Sequence, residues 1–369
     1  MNTYKVTFKG PLENRQFFAE LRKSVDDYFT NKGIKKTGNH KLFTKTIIIT
    51  ALGPILYGLG LLNGYNVLNG GFAIPLVFTY AAFLILGLFH ALAGFNIMHD
   101  ACHGSFSSNS KVNAWMGNVI SFMGSHAFIW KYKHNVVHHT YTNINEIDDD
   151  ISKWPMMRMS PDQERLKHHK LQAWYMWPLY AISTIYWIYV NDFNKFFTGK
   201  IFTSNMPKFP ASEKVIFWIT KVLYFIAYGI LPILALGWFH GLMVLFVLHV
   251  SLGIAISVVF QLAHCVEEVD FVPGASEGLT EVGEEWAIHQ IATTADFSTK
   301  SKVWTWLLGG LNFQVEHHLF PNISHIHYPD IHGIVKAKCE EFGIKFNEYP
   351  TFMVALRSHV QHMHQLGQA

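Results

Sequence analysis

Eight histidines carry the chemistry open to this chain. Seven lie in three short clusters, His99-Asp-Ala-Cys-His103, His134-Asn-Val-Val-His138-His139 and Gln314-Val-Glu-His317-His318, and the eighth, His264, follows a long apolar run. Histidine is the commonest metal ligand, and a pair at i and i+4 of a helix turns both imidazoles to one side. His99/His103 and His134/His138 have that spacing. A chain with 22 histidines yields one such pair by chance, but three clusters, two of them with a tandem His-His, point to a multi-histidine metal centre. A catalytic zinc takes three protein ligands and a water, so eight nitrogen ligands imply two metals. Imidazole suits zinc, copper, iron and nickel alike, and ligand type alone does not choose among them.

The elements that must position these residues are read from hydropathy. Half of the chain is hydrophobic and 15% is charged, against about a quarter charged in soluble proteins. Runs 47–62, 72–98, 215–238 and 242–263 have the length, roughly 20 residues, that a bilayer requires. The first is short and carries Pro54. The first forty-five residues hold ten Lys/Arg and no apolar core, so no cleaved signal peptide is expected. Cys102, Cys265 and Cys339 are scattered, which argues against a disulfide framework or an iron–sulfur cluster and fits a reducing, cytosol-facing location. Nucleic acid is not expected as a partner.

Charge orients the runs. Of the 29 basic residues, 28 lie in 1–46, 99–214 and 264–369, and the positive-inside bias assigns those three segments to the cytoplasmic side. The exception, Lys221, is expected to snorkel from the start of the third run. The layout is then an all-α integral membrane protein with four transmembrane helices in two hairpins under a cytoplasmic helical cap. Its parts are an amino-terminal segment 1–46, a hairpin 47–98, a cap 99–214 with the first two clusters, a hairpin 215–263, and a cytoplasmic region 264–369 with the third cluster. A fifth, aromatic stretch, 172–191, would put His317 and His318 on the opposite face from His99 and His139 if it crossed. It reads as an interfacial helix, with a true span as the alternative. As a helix, 72–98 is about 40 Å long and overruns a hydrocarbon core of roughly 30 Å, so His99 and His103 stand above the membrane on its continuation. His264 stands similarly at the end of the fourth run. Residues 14–31 space Phe17, Phe18, Leu21, Val25, Tyr28 and Phe29 as one helix face. The carboxyl-terminal part reads as a helix around 330–342, a link through Tyr349-Pro350 and another helix, whose His359, His362 and His364 are expected to be solvated.

Metal-bound histidines usually donate their other ring N–H to a carboxylate or carbonyl. Asp100, Asp148, Asp149, Asp150, Glu267, Glu268, Asp296 and Glu316 lie near the clusters. Asp100 and Glu316, inside them, lead, whereas Glu267 and Glu268 read as solvated. A metal centre against the acyl region of a bilayer meets unactivated C–H bonds, for which O₂ activation at iron is the apt chemistry.

Together these segments resemble the membrane fatty acid desaturase family. The resemblance rests on HDACH at 99–103, HNVVHHTYTNINEIDDDI at 134–151, FQVEHHLFPNISHIHYP at 313–329, WAIHQIATTADF at 286–297 and the two span pairs, covering nearly the whole chain. Gln314, where many members have histidine, resembles the front-end branch, which inserts double bonds between an existing one and the carboxyl group. The resemblance implies that His99, His103, His134, His138, His139, His317 and His318 bind iron, that His264 supplies a further ligand, and that Gln314 binds weakly or through water. His289, with Asp100, Asp148, Asp150, Asp296 and Glu316, would stand behind the ligands. The catalytic group is implied to be a non-haem di-iron centre with no separate protein nucleophile. O₂ is co-substrate, two hydrogens leave adjacent methylenes to give a cis alkene, and the oxygen leaves as water.

The partners follow from that implication. The acyl substrate could be carried on coenzyme A, acyl carrier protein or phospholipid, among membrane lipids. The chain has no haem-binding His-Pro-Gly-Gly segment, cysteine cluster or dinucleotide fingerprint, Gly58-Leu-Gly60 being inside an apolar run. Many front-end relatives carry a fused cytochrome b5 domain. A separate ferredoxin or cytochrome b5-type donor is therefore expected here, docking near Lys131, Lys133 and Lys153, with headgroup contact as the alternative for those lysines. A hydroxylase returning OH to the substrate radical would share the same clusters. A metal transporter is the remaining reading, but transporters place ionisable groups near the midplane in broken helices, and here only His90, His249 and Lys221 lie within runs.

Overall fold

A computed structural model describes residues 5–11, 16–153, 155–274 and 279–369. Among these, three helical stretches are long and apolar enough to cross a bilayer: His40–Asn69, Val77–Cys102 and Ala211–His264. The first opens on Asn39, whose side chain accepts the Lys41 N–H, carries Pro54 inside, and closes on Gly70 in the left-handed region. It is longer at both ends than the run 47–62 that its hydropathy marks.

The third stretch has 54 residues and would reach about 80 Å if straight. It is not straight. Gly237 takes φ 75° and ψ 163°, a region open essentially to glycine alone, and the chain doubles back there. A Cβ on Gly241 would lie 2.6 Å from the Cα of Ile233, and the Tyr224 hydroxyl is 3.0 Å from Nε2 of His249, twenty-five residues further on.

Close backbone approach sets the ligand-bearing ends level. Gly87 presses on the carbonyl of Leu248 and on Ser251 so tightly that a Cβ has no room, the small-residue packing expected between apolar helices. Further on, Phe95 meets Phe260 with ring centroids 6.4 Å apart. The two helices therefore run side by side in one direction, and His99 and His264 emerge at one end.

The aromatic stretch forms the helix Gln172–Tyr186, which packs on the returning arm of the folded-back pair, Thr184 bonding His249 at 3.1 Å. The helix that follows, Asp192–Thr198, reaches the other arm, where Asp192 bonds Lys221 at 2.9 Å and Phe196 stacks on Phe217. Lys221 does not snorkel. Its Nζ is buried and donates to Asp192, to the Gly124 carbonyl at 2.6 Å and to the Ile188 carbonyl at 2.9 Å, because that helix brings an anion to it.

Around the ligand-bearing end, Phe17–Lys32 buries Phe17, Leu21, Val25 and Phe29 against Tyr328–Glu341 and the third-cluster helix. Residues 14 and 15 of the expected helix lie outside the described residues. Phe352–Gln368 closes the chain. Its His359 and His362 are buried rather than solvated, whereas His364 is exposed. His359 donates to the Cys265 carbonyl at 2.7 Å and meets the Tyr180 hydroxyl at 3.0 Å, and His362 stacks on Phe271. The inward stripe of this amphipathic helix carries them. Among the described residues the strands form short two-stranded pairings, Lys5–Phe8 with Leu279–Val282, Lys200–Ile201 with Ser204–Asn205 and Asp296–Phe297 with Glu348–Tyr349, beside an isolated bridge between Ile144 and Val272.

Candidate metal centre

Each histidine cluster sits on a short, distinct helical device. The first rides the end of Val77–Cys102, just after a π-helical turn at Gly94–Met98. The second lies on a π-helix, Tyr132–His138. A π-helix closes its hydrogen bonds at i+5, so His134 faces His139, with Nε2 atoms 3.2 Å apart. His134 also stacks on His138, with centroids 5.3 Å apart, and the two offer nitrogens to one set with Asp150, as their i,i+4 spacing leads one to expect. The third cluster occupies Gln314–Leu319, whose first turn is held where Asp296 Oδ1 accepts the Val315 N–H at 2.9 Å.

The imidazoles converge into adjoining sets. His99, His103, His134 and His317 each offer a nitrogen within 4.8 Å of the others, as do His138, His264 and His318, and His139 groups with His317 and His318. Two nitrogens bound ~2.1 Å from one ion stand about 3–4 Å apart, so these separations fit metal ligation. Apart from the half-buried His103, all of them are buried.

Four of these histidines are oriented through their Nδ1 atoms. His138 faces Asp148 Oδ2 at 3.1 Å, His264 the Thr293 carbonyl at 3.3 Å, His317 the Tyr328 hydroxyl at 3.2 Å, and His318 the Gln290 Oε1 at 2.8 Å. Each anchor takes the Nδ1 proton and leaves a lone pair on Nε2. The Nε2 atoms of all four, and of His103, are buried without a hydrogen-bond partner. An unsatisfied buried polar atom costs about 1–3 kcal/mol, so five of them aimed into one region make it a candidate site for metal ions. Burial, and then repulsion among neighbouring imidazoles, holds His103, His134, His139, His317 and His318 well below the ordinary histidine range. They are therefore neutral, with lone pairs free to coordinate. His138 differs, since burial opposes its charge but Asp148 and Asp150 outweigh it and raise its pKa.

The expected supporting residues divide. Asp148 and Asp150 back His138, the second at 3.5 Å and also paired with Lys133. His289 meets the Thr142 carbonyl at 2.9 Å and groups with no ligand set. Asp100, Glu316 and Asp296 do not reach a cluster histidine. Asp100 accepts from Ser324 Oγ at 2.6 Å and the His325 N–H at 3.3 Å, while Glu316 and Asp296 face His332 at 3.0 and 3.3 Å. Consecutive helix residues diverge by about 100°, so a carboxylate next to a ligand in sequence points away from it. Gln314 is buried and donates from Nε2 to the Leu311 carbonyl at 2.8 Å. Glu267 and Glu268 are exposed.

Three anchors, Gln290, Thr293 and Tyr328, escaped the reading of the sequence. The first two lie on the same segment as His289, and Tyr328 ends the third-cluster segment, so only position hinted at them. Thr293 acts through its carbonyl, which leaves no mark on the sequence. Trp130 also stacks on His134, with centroids 4.3 Å apart. Gln290→Leu is expected to lower metal retention and turnover by roughly 10–100-fold, whereas Gln290→Glu keeps an acceptor and most of both. Metal content after dialysis checks this, and full retention by the leucine variant would refute it.

Comparison with known proteins places the arrangement. The fatty acid desaturase family model matches residues 73–350. The chain is 36% identical over 362 residues to the sn-1 linoleoyl-lipid 6-desaturase of Synechocystis sp., covering 97% of each. It is 34% identical to the acyl-lipid (8-3)-desaturase of Physcomitrium patens, over 96% of this chain and 72% of that one. It is 33% identical to the sn-1 linoleoyl-lipid 6-desaturase of Arthrospira platensis, over 96% and 92%.

Proposed function

The chain belongs to the fatty acid desaturase family, and from that membership we propose that it inserts a cis double bond, on the carboxyl side of an existing one, into an acyl chain esterified to a membrane lipid. The relatives named as acyl-lipid and linoleoyl-lipid desaturases support the lipid-borne substrate, and Gln314 supports the front-end position. The observation that carries the proposal is the convergence of eight histidines from three clusters and His264, with buried, unpartnered Nε2 atoms aimed inward.

Two irons fit the donor set. His99, His103, His134 and His317 would hold one, and His138, His264 and His318 the other, with His139 beside both. When bound, they supply O₂ activation and the removal of hydrogen from adjacent methylenes. The chain's own residues do the rest. Asp148, Thr293, Tyr328 and Gln290 meet the Nδ1 atoms and turn the Nε2 atoms inward. Trp130 walls His134, and the core that includes Met98, Ala101 and Trp130 keeps water out.

The break at Gly237 supports four membrane crossings, and the distribution of basic residues supports a cytoplasmic metal centre under a helical cap. The helix Gln172–Tyr186, rich in Trp and Tyr, is read as lying at the membrane interface. Electrons come from a separate ferredoxin or cytochrome b5-type protein. Of the three lysines expected to receive it, Lys133 pairs with Asp150 and Asp149 and Lys153 donates to the Asp149 carbonyl. Lys131 has no acidic partner among the described residues and is the better docking cation.

The test is expression with a reductase system and linoleate, followed by mass-spectrometric location of double bonds in intact lipids. New unsaturation on the carboxyl side of an existing double bond is expected. Bound iron without new unsaturation would sink the reading, and a hydroxylated chain would replace it with a hydroxylase on the same centre.

A further inference from the structure

Among the described residues, the interior lysine Lys45 has no ion-pair partner. The helix His40–Asn69 turns Leu42, Lys45 and Ile49 inward on one stripe, and Leu42 and Ile49 share a core with Met98, Ala101 and Cys102 of the first-cluster helix. Lys45, between them, is only 5% exposed. No ion pair or hydrogen bond engages its Nζ among the described residues, and its recorded neighbour is the face of Trp306, 4.8 Å to the ring centroid. Asp100, on the first-cluster helix, is taken up by Ser324 and His325. Elsewhere the fold pairs its buried lysines, Lys195 with Asp149 and Lys221 with Asp192.

Leaving a charge buried and unpaired is strongly unfavourable, and an apolar side chain of similar volume would be more stable there. A lysine serving solubility alone would extend its ammonium to the headgroups, whereas this one is enclosed by protein. Its surroundings lead toward the metal centre. Trp306 lies on Lys302–Leu307, and that helix is fastened to the π turn preceding His99. Asn96 donates to the Leu307 carbonyl at 3.1 Å, and Gly309 lies so close to the Phe95 carbonyl that a Cβ has no room. On the outer side Val303 and Trp306 are 67% and 43% exposed, an apolar and aromatic edge of the kind found at a membrane interface.

We propose that Lys45, walled by Trp306, receives the oxygen-bearing end of the acyl lipid, donating a hydrogen bond to its ester carbonyl or headgroup phosphate and so setting which methylenes meet the metal centre. The inference rests on the front-end desaturase reading. An enzyme that places a double bond between an existing one and the carboxyl group must register the chain from an end, and a donor on a rigid helix beside the ligands does so.

Lys45→Met is expected to raise the unfolding temperature, keep the iron content, and either lower turnover at limiting lipid about tenfold or spread the double bond over neighbouring positions. Lys45→Arg keeps the wild-type position. Binding is measured in mixed micelles by native mass spectrometry with three probes: dilinoleoyl phosphatidylcholine, its ether-linked analogue, and a dilinoleoyl galactosyl diacylglycerol. Weaker binding of the two esters alone identifies the carbonyl, and weaker binding of the two phospholipids alone identifies the phosphate. Either supports the site. Unchanged binding and double-bond position in Lys45→Met overturn it, as does a lowered unfolding temperature with equal loss for all three lipids, which marks a packing role. A wild-type enzyme that binds lipid through Lys45 but forms no double bond refutes the reaction and leaves the site standing. One that desaturates while Lys45→Met matches it in every readout refutes the site alone.

Discussion

Replacing His264 by alanine is expected to take bound iron from about two ions per chain to about one and to abolish desaturation. His264 belongs to none of the three clusters, yet its ring centroid is 4.6 Å from that of His138 and 4.9 Å from that of His318. Its Nδ1 is held by the Thr293 carbonyl and its Nε2 has no partner. Without it, the set of His138, His264 and His318 falls to two members, short of the three protein ligands that a catalytic ion ordinarily needs. His99, His103, His134 and His317 form a separate set and should keep their ion. Iron per chain by elemental analysis, read beside the lipid product, decides the matter. Two irons retained in His264→Ala would reduce this residue to a packing histidine at the end of a helix.

The largest effect on stability is expected from Asp192→Ala. Lys221 Nζ is 1% exposed in its side chain, as Asp192 is 0%, and the two carbonyls that also accept from it, Gly124 and Ile188, carry no charge. Removing the carboxylate strands a buried ammonium, at a cost of about 3–5 kcal/mol. The pair fastens the helix Asp192–Thr198 to the folded-back helices, and Gln172–Tyr186 in turn receives Phe352–Gln368 through the Tyr180 contact with His359. Thermal unfolding in detergent should fall accordingly, and the double variant Asp192→Ala/Lys221→Met should recover most of the loss because no charge is left behind. A single variant as stable as wild type would show that Lys221 finds another partner.

Much of the site was legible because its signals are local. Tandem histidines and i,i+4 spacing pick out the histidines that converge, and hydropathy over twenty residues marks the apolar helices. The length of 72–98 anticipates that the first cluster continues that helix, which Val77–Cys102 does. What stayed hidden depends on contacts between distant segments. The π-helix Tyr132–His138 brings His134 to His139 as well as to His138, and nothing in that sequence distinguishes it from an α-helix. Asp100 and Glu316 stand beside ligands in sequence but point to His325 and His332.

The chain by itself determined the kind of ligand, the number of clusters and the apolar lengths that carry them, since residue type and periodicity are properties of neighbours along the backbone. Only the tertiary structure decided which nitrogen of each histidine is free. That choice lies with the group meeting the other nitrogen, Gln290 for His318, Tyr328 for His317 and the Thr293 carbonyl for His264, and folding alone brings those groups within hydrogen-bond reach.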